Sequence, residues 1–156
     1  MVLFNMQFER ETIELFKHML QKEGVIKLPS EGNSMFPLIN NGNLCTFIYC
    51  EPEQLIKGDV VLYYTSSGEL IAHRFFEVKT INYMTYYIFK GDTNLSFDAP
   101  VKEHQIIGKL ATIQKVKRTV NTGDLPAGLW AKIILTLPAL SGILQKYLNW
   151  KQHYQF

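Results

Sequence analysis

The chain has 156 residues, of which 47% are hydrophobic, 19% charged and 13% aromatic. That composition excludes a disordered or low-complexity chain, and the length fits one core, or a small domain with an accessory segment. The net charge of +2, from 16 basic and 14 acidic residues, lacks the basic excess of a dedicated nucleic-acid binder.

The first eight residues are apolar, but Glu9, Arg10, Glu11 and Glu14 interrupt them before the apolar stretch of a signal peptide can form. Residues 9–22 place Ile13, Leu15, Phe16, Met19 and Leu20 at helical spacing among Glu, Lys and Gln, and Gly24 is a natural stop. Residues 25–118 read as short strands separated by Gly, Pro and Asn. The candidates are 25–28, 44–50, 60–64, 69–79, 83–90 and 106–116, with Ser66-Ser67-Gly68 as a hairpin turn. The expected fold class is therefore mainly β (α+β). We expect an irregular β-barrel or sandwich-like core, an N-terminal amphipathic helix and C-terminal helices. The organisation reads as 1–24 helix, 25–120 core and 121–156 tail.

The tail begins at a linker-like break, residues 122–126. Pro126 and Pro138 each suit the first turn of a helix, so two short helices or one helix kinked at Pro138 are expected. After Asp124 there is no acidic residue, while Lys132, Lys146 and Lys151 remain. A basic, apolar tail points to peripheral membrane contact through 127–148, to a partner, or to docking on the core. A spanning helix is disfavoured, because Lys132, Pro138 and Lys146 interrupt the longest apolar run.

Cys45 and Cys50 lie on one expected strand, about 16 Å apart at ordinary strand rise, which is too far for a mutual disulfide. They read as reduced packing thiols and point to a cytoplasmic setting. His18, His104 and His153 are scattered and form no metal-ligand set, so no metal or cofactor is expected.

Four segments carry candidate chemistry: Gly32-Asn33-Ser34-Met35-Phe36-Pro37-Leu38, Lys57-Gly58-Asp59-Val60-Val61, Ile71-Ala72-His73-Arg74, and Phe89-Lys90-Gly91-Asp92-Thr93-Asn94 with Asp98 downstream. In that order they resemble the boxes of the signal peptidase I family and its LexA-like relatives, over about residues 25–110. The resemblance implies a signal-peptidase/LexA-like core, with the nucleophile at Ser34 and the base in the third segment. Bacterial membrane-bound signal peptidases and LexA-type proteins carry a lysine there. His73-Arg74 resembles the endoplasmic-reticulum and archaeal type instead, which implies a Ser-His-Asp enzyme. The N-terminal transmembrane anchor usual in signal peptidases is not expected in this chain.

The chemistry also stands on its own. A serine hydroxyl attacks only as a base removes its proton, and histidine can take that proton and return it to the leaving amine. A carboxylate on the far ring nitrogen fixes the tautomer. Two aspartates compete for that place. Asp98 lies at the offset of the triad aspartate in the endoplasmic-reticulum type. Asp92 fits a turn role behind the site. Backbone N–H groups around Ser34 are candidate oxyanion donors, and Gly32 provides no side-chain donor. The bland alternatives are a turn serine, a structural strand histidine, a structural Asp59, and an ion-paired or solvated Arg74.

The resulting expectation is a serine endopeptidase using Ser34, His73 and Asp98. Its substrate would be an extended peptide or small precursor with small residues near the cleaved bond, lying as an added strand beside residues 25–30. A LexA-like self-cleaving regulator and a non-catalytic peptide-binding module on the same fold are the alternatives. The 27 or so residues before the core are too few for a helix-turn-helix unit, and no nucleic-acid partner is expected.

Overall fold

The helix that opens the core forms where the 3.6-residue pattern places it. The computed structural model describes residues 2–154, with side chains from Phe8 onward. Strand β1 (Val2–Gln7) precedes helix α1 (Arg10–Glu23). Ile13 and Leu20, seven residues apart and so on one face, are buried; Leu15 points away and is exposed. Gly24 ends the helix in the left-handed region at φ 75°, its N–H donating to the Leu20 carbonyl at 2.8 Å.

Six strands follow before the tail: β2 (Val25–Pro29), β3 (Leu44–Ile48), β4 (Val60–Tyr64), β5 (Glu69–Ile81), β6 (Met84–Lys90) and β7 (Ile106–Gln114). A short β8 (Thr119–Asn121) completes an antiparallel sheet in the order β1-β5-β4-β7-β3-β2, with β6 also on β5 and β8 also on β7. The expected barrel is corrected here: β1 and β2 stay at the two ends of the path, so the sheet is open. The long strands β5 and β7 explain why. Each takes two partners in succession along one edge, β1 then β6 on β5 and β4 then β8 on β7, so the sheet branches instead of closing. A register irregularity between Phe75 and Glu77 lets the 13-residue β5 change direction between its partners.

Strand β4 is apolar throughout because both of its faces are covered. Val60 and Leu62 join a cluster with Ile13, Leu20, Phe47 and Leu110. Val61 and Tyr63 join a second cluster with Phe75, Tyr87 and Phe89. Helix α1 lies close on the first cluster at Gly108, where a Cβ would stand 2.5 Å from Leu20 Cδ2 and 2.7 Å from the Ile48 carbonyl oxygen. The core thus includes α1 as well as the strands of 25–120.

The tail forms two helices, α2 (Leu125–Thr136) and α3 (Ala139–His153), bent by 104° at the break that holds Pro138. Among the described residues no single helix is long and apolar enough to cross a membrane. Cys45 is buried and Cys50 half-buried, and both are free thiols. Burial pushes their pKa values up to about 12 and about 11, which keeps both protonated.

Candidate active site

Ser34 sits in the loop that leaves β2, two residues after Gly32, whose φ of 76° a larger residue would resist. Met35 is fully buried and anchors the turn from below. From the other side, Thr93 donates its backbone N–H to the Ser34 carbonyl at 2.9 Å, and its Oγ1 to the Asn33 carbonyl at 3.4 Å. The loop after β6 therefore fixes the loop after β2. The Phe36–Pro37 peptide is cis.

His73 lies on β5 opposite Val61 of β4 and is 4% exposed. Ser34 Oγ is 2.9 Å from His73 Nε2, and His73 Nδ1 is 2.6 Å from Asp98 Oδ2. With Nδ1–H donating to the carboxylate, Nε2 is left to accept the serine proton. Burial lowers the His73 pKa below 6.5; the hydrogen bond and charge of Asp98 oppose this, and burial prevails. The imidazole is consequently neutral near pH 7, the form a base requires.

Asp98 is held in place by its own N–H, which donates to the Phe89 carbonyl at 2.9 Å. Tyr63 adds a contact that the sequence did not suggest. Its hydroxyl donates to Asp98 Oδ2 at 2.7 Å, and its ring stacks on Phe89 with centroids 4.6 Å apart. Burial and the neighbouring carboxylate raise the Tyr63 pKa, so this donor stays protonated. The available signal was strand parity: Tyr63 shares the face of Val61, the residue opposite His73.

Asp92, the competing carboxylate, is not on His73. It accepts from Arg74 Nε at 2.8 Å and Nη2 at 2.7 Å, and from Trp130 Nε1 of α2 at 2.8 Å. Arg74 Nη1 also donates to the Gly58 carbonyl at 2.9 Å. Successive residues of a strand point to opposite faces, so His73 and Arg74 take their carboxylates on opposite sides of β5. Arg74 is thereby a buried ion-pair partner rather than a solvated residue. Asp59 plays a turn role, its Oδ2 accepting from the Ile56 N–H at 3.0 Å and lying 3.4 Å from Lys109 Nζ.

The backbone N–H groups of Ser34 and Met35 donate to no acceptor among the described residues. Two unpaired N–H donors beside a nucleophile-type serine form a ready site for developing negative charge. No group of three or more His, Cys, Asp or Glu that could hold a metal occurs among the described residues. Comparison with protein-family models, with curated proteins and with solved structures gave no match. The functional reading therefore rests on the residues and their geometry.

Proposed function

We propose that this chain is a serine endopeptidase of signal-peptidase-like type, with Ser34 as nucleophile, His73 as general base and acid, and Asp98 as the carboxylate that orients it. The observation that carries this reading is the continuous line Ser34 Oγ–His73 Nε2 at 2.9 Å and His73 Nδ1–Asp98 Oδ2 at 2.6 Å. In the proposed reaction, Ser34 Oγ attacks a peptide carbonyl carbon as its proton passes to His73 Nε2. Asp98 stabilises the imidazolium, and the free N–H groups of Ser34 and Met35 receive the oxyanion. His73 then protonates the departing amine, leaving an acyl group on Ser34. Water, deprotonated by the same nitrogen, releases it as a carboxylate.

An extended peptide, or a small precursor with small residues at the cleaved bond, suits this arrangement. Among the described residues strand β2 pairs only with β3, so its other edge is open to a substrate strand leading toward Ser34. Ser34→Ala tests the reading: peptidase activity should fall to background while the thermal melt stays within a few degrees. Retained activity would move the nucleophile elsewhere. A LexA-like regulator would cleave its own chain, which incubation of the purified protein would reveal.

The proposed setting is an anionic membrane surface reached through the tail. The apolar side chains expected over 127–148 divide between the core and solvent: Ala127 and Ile134 are buried, whereas Leu129, Leu137 and Ile143 are exposed. Ile143, Tyr147 and Trp150 on α3 and Tyr154 at its C-cap recur at three- and four-residue spacing and are all exposed. Tyr147 stacks on Phe36, two residues after Ser34, with centroids 5.8 Å apart, so this stripe begins beside the candidate nucleophile. Lysines without acidic neighbours in sequence and interfacial Trp and Tyr complement anionic headgroups. Sedimentation with phosphatidylglycerol vesicles at low salt should capture the chain, and Trp150→Ser should weaken capture. Absence of binding at low salt would assign the tail to core docking or to a protein partner.

A further inference from the structure

Asn94 is the polar side chain beside the Ser34–His73 pair to which the reading above gives no work. It follows the Gly91-Asp92-Thr93 segment, and its backbone N–H closes that turn onto the Gly91 carbonyl at 3.1 Å. Its side-chain amide has no hydrogen-bond partner among the described residues, so the turn is made without it. Gly91 locates this amide. A Cβ built at Gly91 would stand 2.8 Å from Asn94 Nδ2 and 3.0 Å from His73 Nε2. The amide nitrogen and the proton-accepting nitrogen thus both border the space that a methyl group at Gly91 would fill. Gly91 carries no left-handed φ among the described residues, so its small size serves this close approach and not a special backbone conformation.

The same segment is tied to the nucleophile, because Thr93 N–H holds the Ser34 carbonyl at 2.9 Å. The backbone that carries the amide is therefore anchored to the loop of Ser34. A neutral NH2 donor suits this place, since it can bind an anionic oxygen without altering the charge on the imidazole. Two residues upstream of Ser34 stands Gly32, so that position supplies no side-chain donor.

We propose that Asn94 is a further catalytic residue, its side-chain NH2 donating to the oxygen of the reacting carbonyl alongside the Ser34 and Met35 backbone N–H groups. The inference rests on Ser34 being the nucleophile, and its test keeps the two claims apart. Inactivation by a serine-directed fluorophosphonate is a suitable probe, because the phosphoryl oxygen takes the place of the oxyanion and no natural substrate is required. Ser34→Ala should abolish labelling. Asn94→Ala should slow the maximal inactivation rate about 100-fold, with the half-saturating probe concentration changed less than about threefold, as expected for a donor that acts in the transition state. Asn94→Asp, which keeps the shape but presents a charge repelling the oxyanion, should be slowed at least as much at pH 8; it carries the test if the alanine variant does not fold. Should wild type label and Ser34→Ala not, while a folded Asn94 variant labels at the wild-type maximal rate, the Asn94 assignment is overturned and the nucleophile stands. A change confined to half-saturation would likewise overturn it. Absence of labelling in the wild type would remove both claims.

Discussion

His73 and Arg74 are neighbours on one strand, each holding an aspartate, and the two pairs have opposite characters. Arg74 and Asp92 are locked by two parallel hydrogen bonds, with a third donor from Trp130, and both are 2% exposed. Such a pair does not exchange its proton, because guanidinium remains charged at any working pH. The His73–Asp98 pair has one hydrogen bond on each side of the ring, and its imidazole can gain or lose a proton, with burial lowering its pKa from the ordinary 6.5. One face of β5 thus carries a titratable group and the other a fixed clamp. The clamp also attaches helix α2 to the loop that holds Ser34 in position. What separates the two aspartates is the residue each faces.

The largest expected effect comes from Asp98. Asp98→Asn keeps shape but removes the acceptor that fixes the His73 tautomer. It should lower kcat by about 10⁴, roughly 5 kcal/mol of transition-state stabilisation, in a folded protein. Steady-state kinetics beside a thermal melt would check this, and activity within tenfold of wild type would transfer the orienting role elsewhere. Asp92→Asn should show the reverse pattern. It leaves the Arg74 charge buried without its counterion and should cost about 3 kcal/mol of stability by denaturant unfolding. At temperatures where it is folded, it should keep more kcat than Asp98→Asn. If Asp92→Asn were the less active of the two folded variants, the comparison would break.

A smaller effect sharpens the His73 side. Tyr63→Phe removes one donor from Asp98 while the ring remains on Phe89. The carboxylate becomes more basic, so the kcat/KM profile should move to higher apparent pKa with about a tenfold loss in kcat. An unchanged profile would make Tyr63 a packing residue.

The smallest effect is the acid limb of the wild type. Burial holds His73 below 6.5 when folded, so the unfolded state binds more protons once pH falls beneath that value. The contribution of this group to stability is fully present above pH 6.5 and is lost as pH falls toward the folded pKa. Activity should follow, with kcat/KM rising through an apparent pKa below 6.5. A limb appearing only above pH 8 would indicate a different base.

Much of this arrangement was legible in the sequence. Strand β4 has the expected bounds, because five consecutive apolar or aromatic residues after a Gly-Asp turn admit few other readings. The break at Pro138 was visible for a covalent reason, since proline cannot continue the hydrogen-bonded ladder of a helix. Ser34, His73 and Asp98 each stand out in the sequence, and they meet although 39 and 25 residues separate the bonded pairs. The open sheet was not legible, because closure depends on which edges meet and no local pattern encodes that. Strands β1 and β8 carry no clear local signal, being short segments whose pairing is set by their neighbours. Tyr63 and Trp130 resembled ordinary core aromatics, and only the fold turns their polar tips onto Asp98 and Asp92.

The most direct test is to label the wild-type protein with a serine-directed fluorophosphonate and map the adduct by peptide mass spectrometry. The account requires one adduct, on Ser34, that is lost in His73→Ala while Asp92→Asn retains it. An adduct on another serine, or labelling of Ser34 undiminished without His73, would contradict it.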